Sequence, residues 1–288
     1  MNKVLQFPLV RLLVAVLFVS VGLLVGQTLL SLLRSVLSIA NRNAANLLAF
    51  ILIIPLTYFA YWVYVRYVEK RSMTELSSPR SAQELGLGAL LGFGLFSFII
   101  AILWLLGFYR VNGVSIVWFS LVGALLGAFV SGFAQELIFR AVIYRLTEEW
   151  LGTWWALAIS AILFGLLHLT STGATIYSAL AVALQAGILL GAAYALTHRL
   201  WMALGIHVAW DFANDGIFGV GVAGQTGQPL HGLLQARLTG PDLFTGGVFG
   251  VEVSIISFVV LLIAGILLLK AAYQTRRFVS RKYVVAPS

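Results

Sequence analysis

Three short stretches of an otherwise apolar chain carry side chains that can move protons or hold a metal. They are Gln135, Glu136 and Arg140 in "QELIFR", Phe164 and His168 in "FGLLH", and His207 and Asp211 in "HVAWD". The pairs Glu136/Arg140, Phe164/His168 and His207/Asp211 are each four residues apart, so each pair shares one face of a helix. A carboxylate with two imidazoles can hold and deprotonate a water, and an imidazole backed by a second carboxylate can stabilise an oxyanion. His168, His207 and a carboxylate from Glu136 or Asp211 are also the donor set of a catalytic zinc site with water as fourth ligand.

The elements that must position these groups are membrane helices. Of the 288 residues, 61% are hydrophobic and 10% charged, with mean hydropathy +1.00, a balance that excludes an ordinary soluble domain. About eight spans of the length needed to cross the hydrocarbon are read at 12–33, 46–65, 86–108, 116–138, 154–170, 176–196, 202–222 and 252–270. The expected fold is therefore all-α, a polytopic membrane helix bundle with a buried polar site. It is read as one membrane domain over 1–288, with a motif-bearing core at about 114–222, a C-terminal span at 252–270 and a basic tail at 271–288. The first span is too long, and too poorly followed by small residues, for a cleavable signal peptide. The absence of Cys excludes thiol chemistry and disulfides.

With eight spans and both termini cytoplasmic, fourteen Lys and Arg fall inside and only Arg34, Arg42, Arg110 and Arg237 outside, with Arg140 discounted as intramembrane. The net charge of +8 is then mainly an orientation signal, and the tail "QTRRFVSRK" suits anionic headgroups rather than nucleic acid. The polar "YVEKRSMTELSSPRSAQE" reads as a cytoplasmic connection with room for a short surface helix. The Gly-rich stretch from Ala223 to Glu252 reads as an outer loop, either an access lid or a plain connection. No internal repeat points to an inverted-repeat transporter.

Each polar group also has a structural reading. Glu136 and Arg140 can be an ion pair that only holds the bundle, His168 a helix-end histidine on a carbonyl, His207 with Asp211 an orienting pair, and Phe164 packing. His198 and His231 read as solvated bystanders. Taken together, an acid, a guanidinium and two histidines on three successive polar-bearing spans are hard to explain as packing, because ionisable groups in hydrocarbon cost at least ~2.5 to 3.5 kcal/mol each.

The set, in this order and spacing, resembles the CAAX-protease and bacteriocin-processing (CPBP) family of intramembrane proteases, which includes the Ras-converting enzyme. That family shows Glu-Glu-x-x-x-Arg, then Phe-x-x-x-His, then His-x-x-x-Asn or Asp. The resemblance covers about Val117 to Asp211, and "FANDGIFGVGVAG" and "LTGGVFGVE" are similar to family sequence too. It implies hydrolysis of membrane-associated or lipidated substrates by an activated water at a metal-free, glutamate-based site. Gln135, Glu136, Arg140, His168, His207 and Asp211 are the site residues it implies. No cofactor is then obligatory; zinc, if present, would sit on His168, His207 and Glu136. The partners expected are such substrates and the lipid bilayer, not nucleic acid, and the expected location is a bacterial cell membrane.

Two positions depart from the pattern. Where the family's first Glu activates the water, this chain has Gln135, and an amide cannot take a proton at neutral pH. Ala141 stands where a Gly often follows the family's Arg. Either Glu136 takes over after a small helix rotation, or a histidine does, or the fold is catalytically silent. A silent member would be a membrane scaffold or a bacteriocin self-immunity protein. A small-solute transporter is the third class, and nothing in the sequence favours it.

Overall fold

The structure, a computed structural model, describes residues 7–220 and 232–280. His231 and part of the expected lid therefore lie outside the described residues. Among the described residues, seven helices are long and apolar enough to cross a membrane. They are α1 (Pro8–Val36), α2 (Arg42–Glu69), α3 (Ser81–Leu105), α4 (Trp118–Leu151), α5 (Thr153–Thr170), α6 (Ile176–Thr197) and, last in the chain, α8 (Ile255–Gln274). Large apolar side chains such as Leu17, Leu24, Leu90, Leu105, Trp118 and Leu267 stand exposed on them. This is the outward apolar face that lipid, not water, would cover.

The seventh expected span, 202–222, differs from the others. Helix α7 (Leu200–Phe212), continued by a π-turn over Ala213–Ile217, carries His207, Asp211, Asn214 and Asp215, and nearly every side chain from Ala203 to Asp211 is buried. It is the central helix of the bundle rather than a lipid-facing one, which is why it can be this polar.

Close helix contacts around α7 are made possible by glycine. A Cβ at Gly92 of α3 would sit 2.3 Å from the Ile206 carbonyl oxygen, and one at Gly205 of α7 would sit 2.3 Å from that of Leu85. Backbone thus meets backbone along the α3–α7 seam, the small-residue packing that membrane helices use in place of a hydrophobic drive.

Three of the site-bearing helices also leave α-geometry. Helix α4 is π-helical over Leu137–Tyr144, α6 over Ala183–Gly187 and α7 over Ala213–Ile217. A π-turn inserts a residue and loosens the carbonyl ladder, so it re-aims side chains and frees carbonyls.

Two features depart from the all-helical expectation. Strands β1 (Tyr109–Val114) and β2 (Leu234–Leu238) pair antiparallel, Tyr109 opposite Leu238, and clamp the α3–α4 connection to the segment before α8. The 70–80 connection forms no surface helix. It instead turns Glu75 into the protein, where Tyr61 donates to it and Arg71 pairs with it at 2.7 Å. Arg145 bonds both Glu69 oxygens at 3.0 Å, and Arg11 and Arg71 reach the same Glu69. This network ties α1, α2, α4 and the connection together at one end of the bundle.

Burial alone would raise the Glu75 carboxyl, but hydrogen bonds from Arg71 and the charge of Arg145 outweigh it, and the group is held below its ordinary value of 4.5. A depressed carboxyl contributes stability above the unfolded value and loses it as pH falls through the folded one. Wild type should therefore lose thermal stability as pH drops below 4.5, and the Glu75→Gln variant, less stable at pH 7, should show a flatter acid limb. Thermal unfolding in detergent across pH measures both.

The seam makes a second expectation. Gly92→Ala should be destabilised by about 1–3 kcal/mol of overpacking, more than the ~1 kcal/mol that Ala gains in helix propensity. Gly94→Ala, with no atom within 4 Å of its Cβ, should be neutral or slightly stabilised. Equal melting temperatures for the two variants would contradict the packing.

Candidate active site

The geometry grows from Arg140, which the π-turn of α4 directs into the protein with no exposed surface. Its Nε lies 3.2 Å from Glu136 Oε2, and its Nη1 donates to Glu136 Oε1 at 3.3 Å. Nη2 donates to the Gly187 carbonyl at 3.4 Å, an oxygen in the π-turn of α6. The guanidinium also sits over the Phe164 ring, 4.5 Å from its centroid, a cation–π contact strengthened by desolvation. Phe164 therefore does more than fill space: it is the apolar face on which a buried cation rests.

Glu136 faces α7 as well. Its Oε1 lies 2.8 Å from His207 Nδ1, and His207 Nε2 lies 3.7 Å from Asp211 Oδ2. The imidazole stands between two carboxylates. His168 ends the regular part of α5, and its Nδ1 lies 2.8 Å from the Phe164 carbonyl oxygen. A carbonyl only accepts, so Nδ1 carries the proton and Nε2 is left as a bare base.

Depth agrees along the helices. Glu136 lies 15 residues before the end of α4 and His168 lies 15 after the start of α5, roughly 22 Å in each case. His207 is only seven residues into α7, roughly 10 Å, yet reaches the same level. The α6–α7 turn docks three residues short of the α4 end, where His198 Nε2 lies 3.1 Å from Glu148 Oε2. His198, read as a solvated bystander, is thus a half-buried partner of a buried carboxylate.

His168, His207, Asp211 and Phe164 line a cavity of about 60 Å³, enough for several waters when one needs roughly 10–15 Å³. Leu189, Leu190 and Ile206 supply apolar wall. On the other side of Asp211 lies a more polar cavity of about 160 Å³, walled by Asn46, Ser131 and the Arg42–Asp215 ion pair, 2.9 Å long. Asp211 borders both.

Gln135 is held apart from the histidines. Its Nε2 donates to Ser131 Oγ at 2.9 Å, on the polar-cavity wall, while its Oε1 is buried without a hydrogen bond among the described residues. Glu136 Oε2 is likewise without a hydrogen bond among them, apart from its ion-pair contact with Arg140.

Reasoning from sequence missed Trp210, Gln185, Asn214 and Glu252. Glu252 lies in the turn Val251–Val253 ahead of α8, outside the spanning helices, and α8 begins at Ile255, three residues later than read. Its Oε1 accepts from Trp210 Nε1 at 3.2 Å and Asn214 Nδ2 at 3.3 Å. Its carboxyl is pushed up to about 7, first by burial and then by the negative charge of Asp211, with the two donors pulling the other way. A lone carboxylate opening an apolar run was the available signal.

No group of three His, Asp or Glu side chains converges as a ligand set among the described residues. Both His207 nitrogens face carboxylates, and the Glu136 carboxylate is engaged by Arg140.

Compared with known proteins, residues 116–213 match a family model described as type II CAAX prenyl endopeptidase Rce1-like. No curated protein and no solved structure matches the chain. The matched stretch runs from the start of α4 into the π-turn of α7 and contains Gln135, Glu136, Arg140, His168, His207 and Asp211. Over that stretch, about a third of the chain, this integral membrane protein is similar to the CPBP and Rce1 family of intramembrane proteases.

Proposed function

We propose that the chain is an endopeptidase that hydrolyses peptide bonds of membrane-associated or lipidated substrates with a water activated among Glu136, His168, His207 and Asp211. The observation that carries the reading is the 2.8 Å contact between His207 and a fully buried, arginine-paired carboxylate, beside a cavity onto which His168 presents a bare ring nitrogen. Ion pairs that serve packing alone do not need a second histidine and a cavity next to them.

In this mechanism His168 Nε2 takes a proton from the water as its oxygen attacks the scissile carbon. His207, oriented by Glu136 and Asp211, donates an N–H to the developing oxyanion. Arg140 balances the charge of Glu136 so that the carboxylate can orient His207 inside a dry interior. No step uses Gln135 as a base, and none is routed through a metal. The end of the bundle that holds Arg11, Arg71, Arg145 and Arg199 is assigned to the cytoplasm of a bacterial cell membrane, with both chain ends on that side.

A catalytically silent scaffold is the second reading, favoured by the amide at Gln135 and its commitment to Ser131. Restoring the family residue separates the two. Gln135→Glu should leave turnover within a few-fold of wild type if His168 is the base. Activity that appears only in that variant would mark a silenced enzyme.

Cleavage of a mixed library of hydrophobic and lipidated peptides in nanodiscs, read by mass spectrometry, tests the mechanism. His168→Ala should lower turnover by roughly 10²–10⁴-fold, and a chelator should not change the wild-type rate. Glu136→Gln should lose activity and also about 3–5 kcal/mol of stability, because Arg140 is left buried and uncompensated. The double variant Glu136→Gln, Arg140→Met should recover much of the stability but none of the activity. An active double variant would reduce the pair to a structural strut.

A further inference from the structure

Hydrolysis of an amide needs two proton transfers, one from the attacking water and one to the leaving nitrogen. His168 supplies an acceptor for the first. Glu136 is committed to Arg140 and His207, and Gln135 has no proton to exchange. A second proton-carrying group on the cavity wall would free His168 from serving both transfers.

Glu252 is such a group. It lines the same cavity as His168, His207 and Asp211, from the turn before α8, and it is partly buried. No Lys or Arg pairs with it among the described residues, and its carboxyl is pushed up to about 7, so a proton-bearing form is present at neutral pH. The side chain is held in place: Trp210 and Asn214 both donate to Oε1, which leaves Oε2 for the cavity. Its backbone is held too, since Gln185 of α6 donates to the Glu252 carbonyl. The charged groups that face it are Asp211 and His207 on α7, with His168 on α5 across the cavity.

We propose that Glu252 is the second acid–base group of this site and gives its proton to the leaving amine. The inference rests on the protease reading and extends it to a residue outside the matched segment. The water oxygen bonds to the scissile carbon as its proton passes to His168 Nε2. The C–N bond then breaks as the Glu252 proton passes to the nitrogen. This leaves a carboxyl product, an amine, a protonated His168 and an ionised Glu252, and one proton returned from His168 to Glu252 through solvent restores both.

The alternative is that Glu252 only ties α7 to α8. Glu252→Gln distinguishes the two, because the amide oxygen still accepts from Trp210 and Asn214 but the group has no proton to give. In the nanodisc assay, kcat of Glu252→Gln should fall about 100-fold or more with KM unchanged, and the alkaline limb of the kcat–pH profile should disappear. Glu252→Asp should recover part of kcat and the limb, with thermal unfolding confirming that both variants are folded. A Glu252→Gln variant with wild-type kcat and an unchanged pH limb overturns the proposal alone. Wild type that cleaves no peptide overturns the protease reading and the proposal with it.

Discussion

A fully buried ion pair, Arg140 with Glu136, is the interaction on which the rest of the structure depends. An unpaired charge in the interior of a membrane protein is several kcal/mol unfavourable, and even a paired one calls for further partners around it. Each of the four central helices answers that demand once. Helix α4 supplies Glu136, α5 the Phe164 ring beneath the guanidinium, α6 the Gly187 carbonyl and α7 the imidazole of His207 on the far side of the carboxylate. The four helices are registered to one another because they share one charge to satisfy.

That arrangement needs backbone that an ideal α-helix does not offer. Helix α4 widens immediately after Glu136 and α6 widens through Gly187. Freed carbonyls, re-aimed side chains and glycine-mediated backbone contact on α3 and α7 bring polar groups together without polar loops in the hydrocarbon. The second charge network, Arg145 with Glu69, Arg71 and Glu75, anchors the same helix near its end. Helix α4 is thus pinned at two levels, one dry and one at the bundle's edge, and the wide turn lies between them.

Function follows from what this framework leaves unsatisfied. Arg140 and His207 take up most of the Glu136 carboxylate, the Phe164 carbonyl takes one nitrogen of His168, and Trp210 and Asn214 take one oxygen of Glu252. For His168 and Glu252 one part of the group is fixed by protein while the side chain lines the cavity. Pre-orientation of this kind is what lets a few side chains do acid–base work where bulk water is scarce.

The amino-acid sequence by itself determined the membrane setting, the order of the helices and the three polar stripes, because hydropathy and four-residue spacing are local properties of the chain. Glu136 and Arg140 could be read as a pair, and His207 with Asp211, for the same reason. Only the tertiary structure decided that α7 is a central helix, that Gln135 turns to Ser131, that His198 serves Glu148, and that Glu252 closes the cavity from beyond a loop. The π-turns of α4 and α6 escaped prediction because their residues are mostly ordinary helix and strand formers, and what widens the helix is the need to satisfy a buried guanidinium supplied with partners by other helices. Contacts that join residues 42 to 71 positions apart carry no local pattern, so they exist only once the bundle has closed.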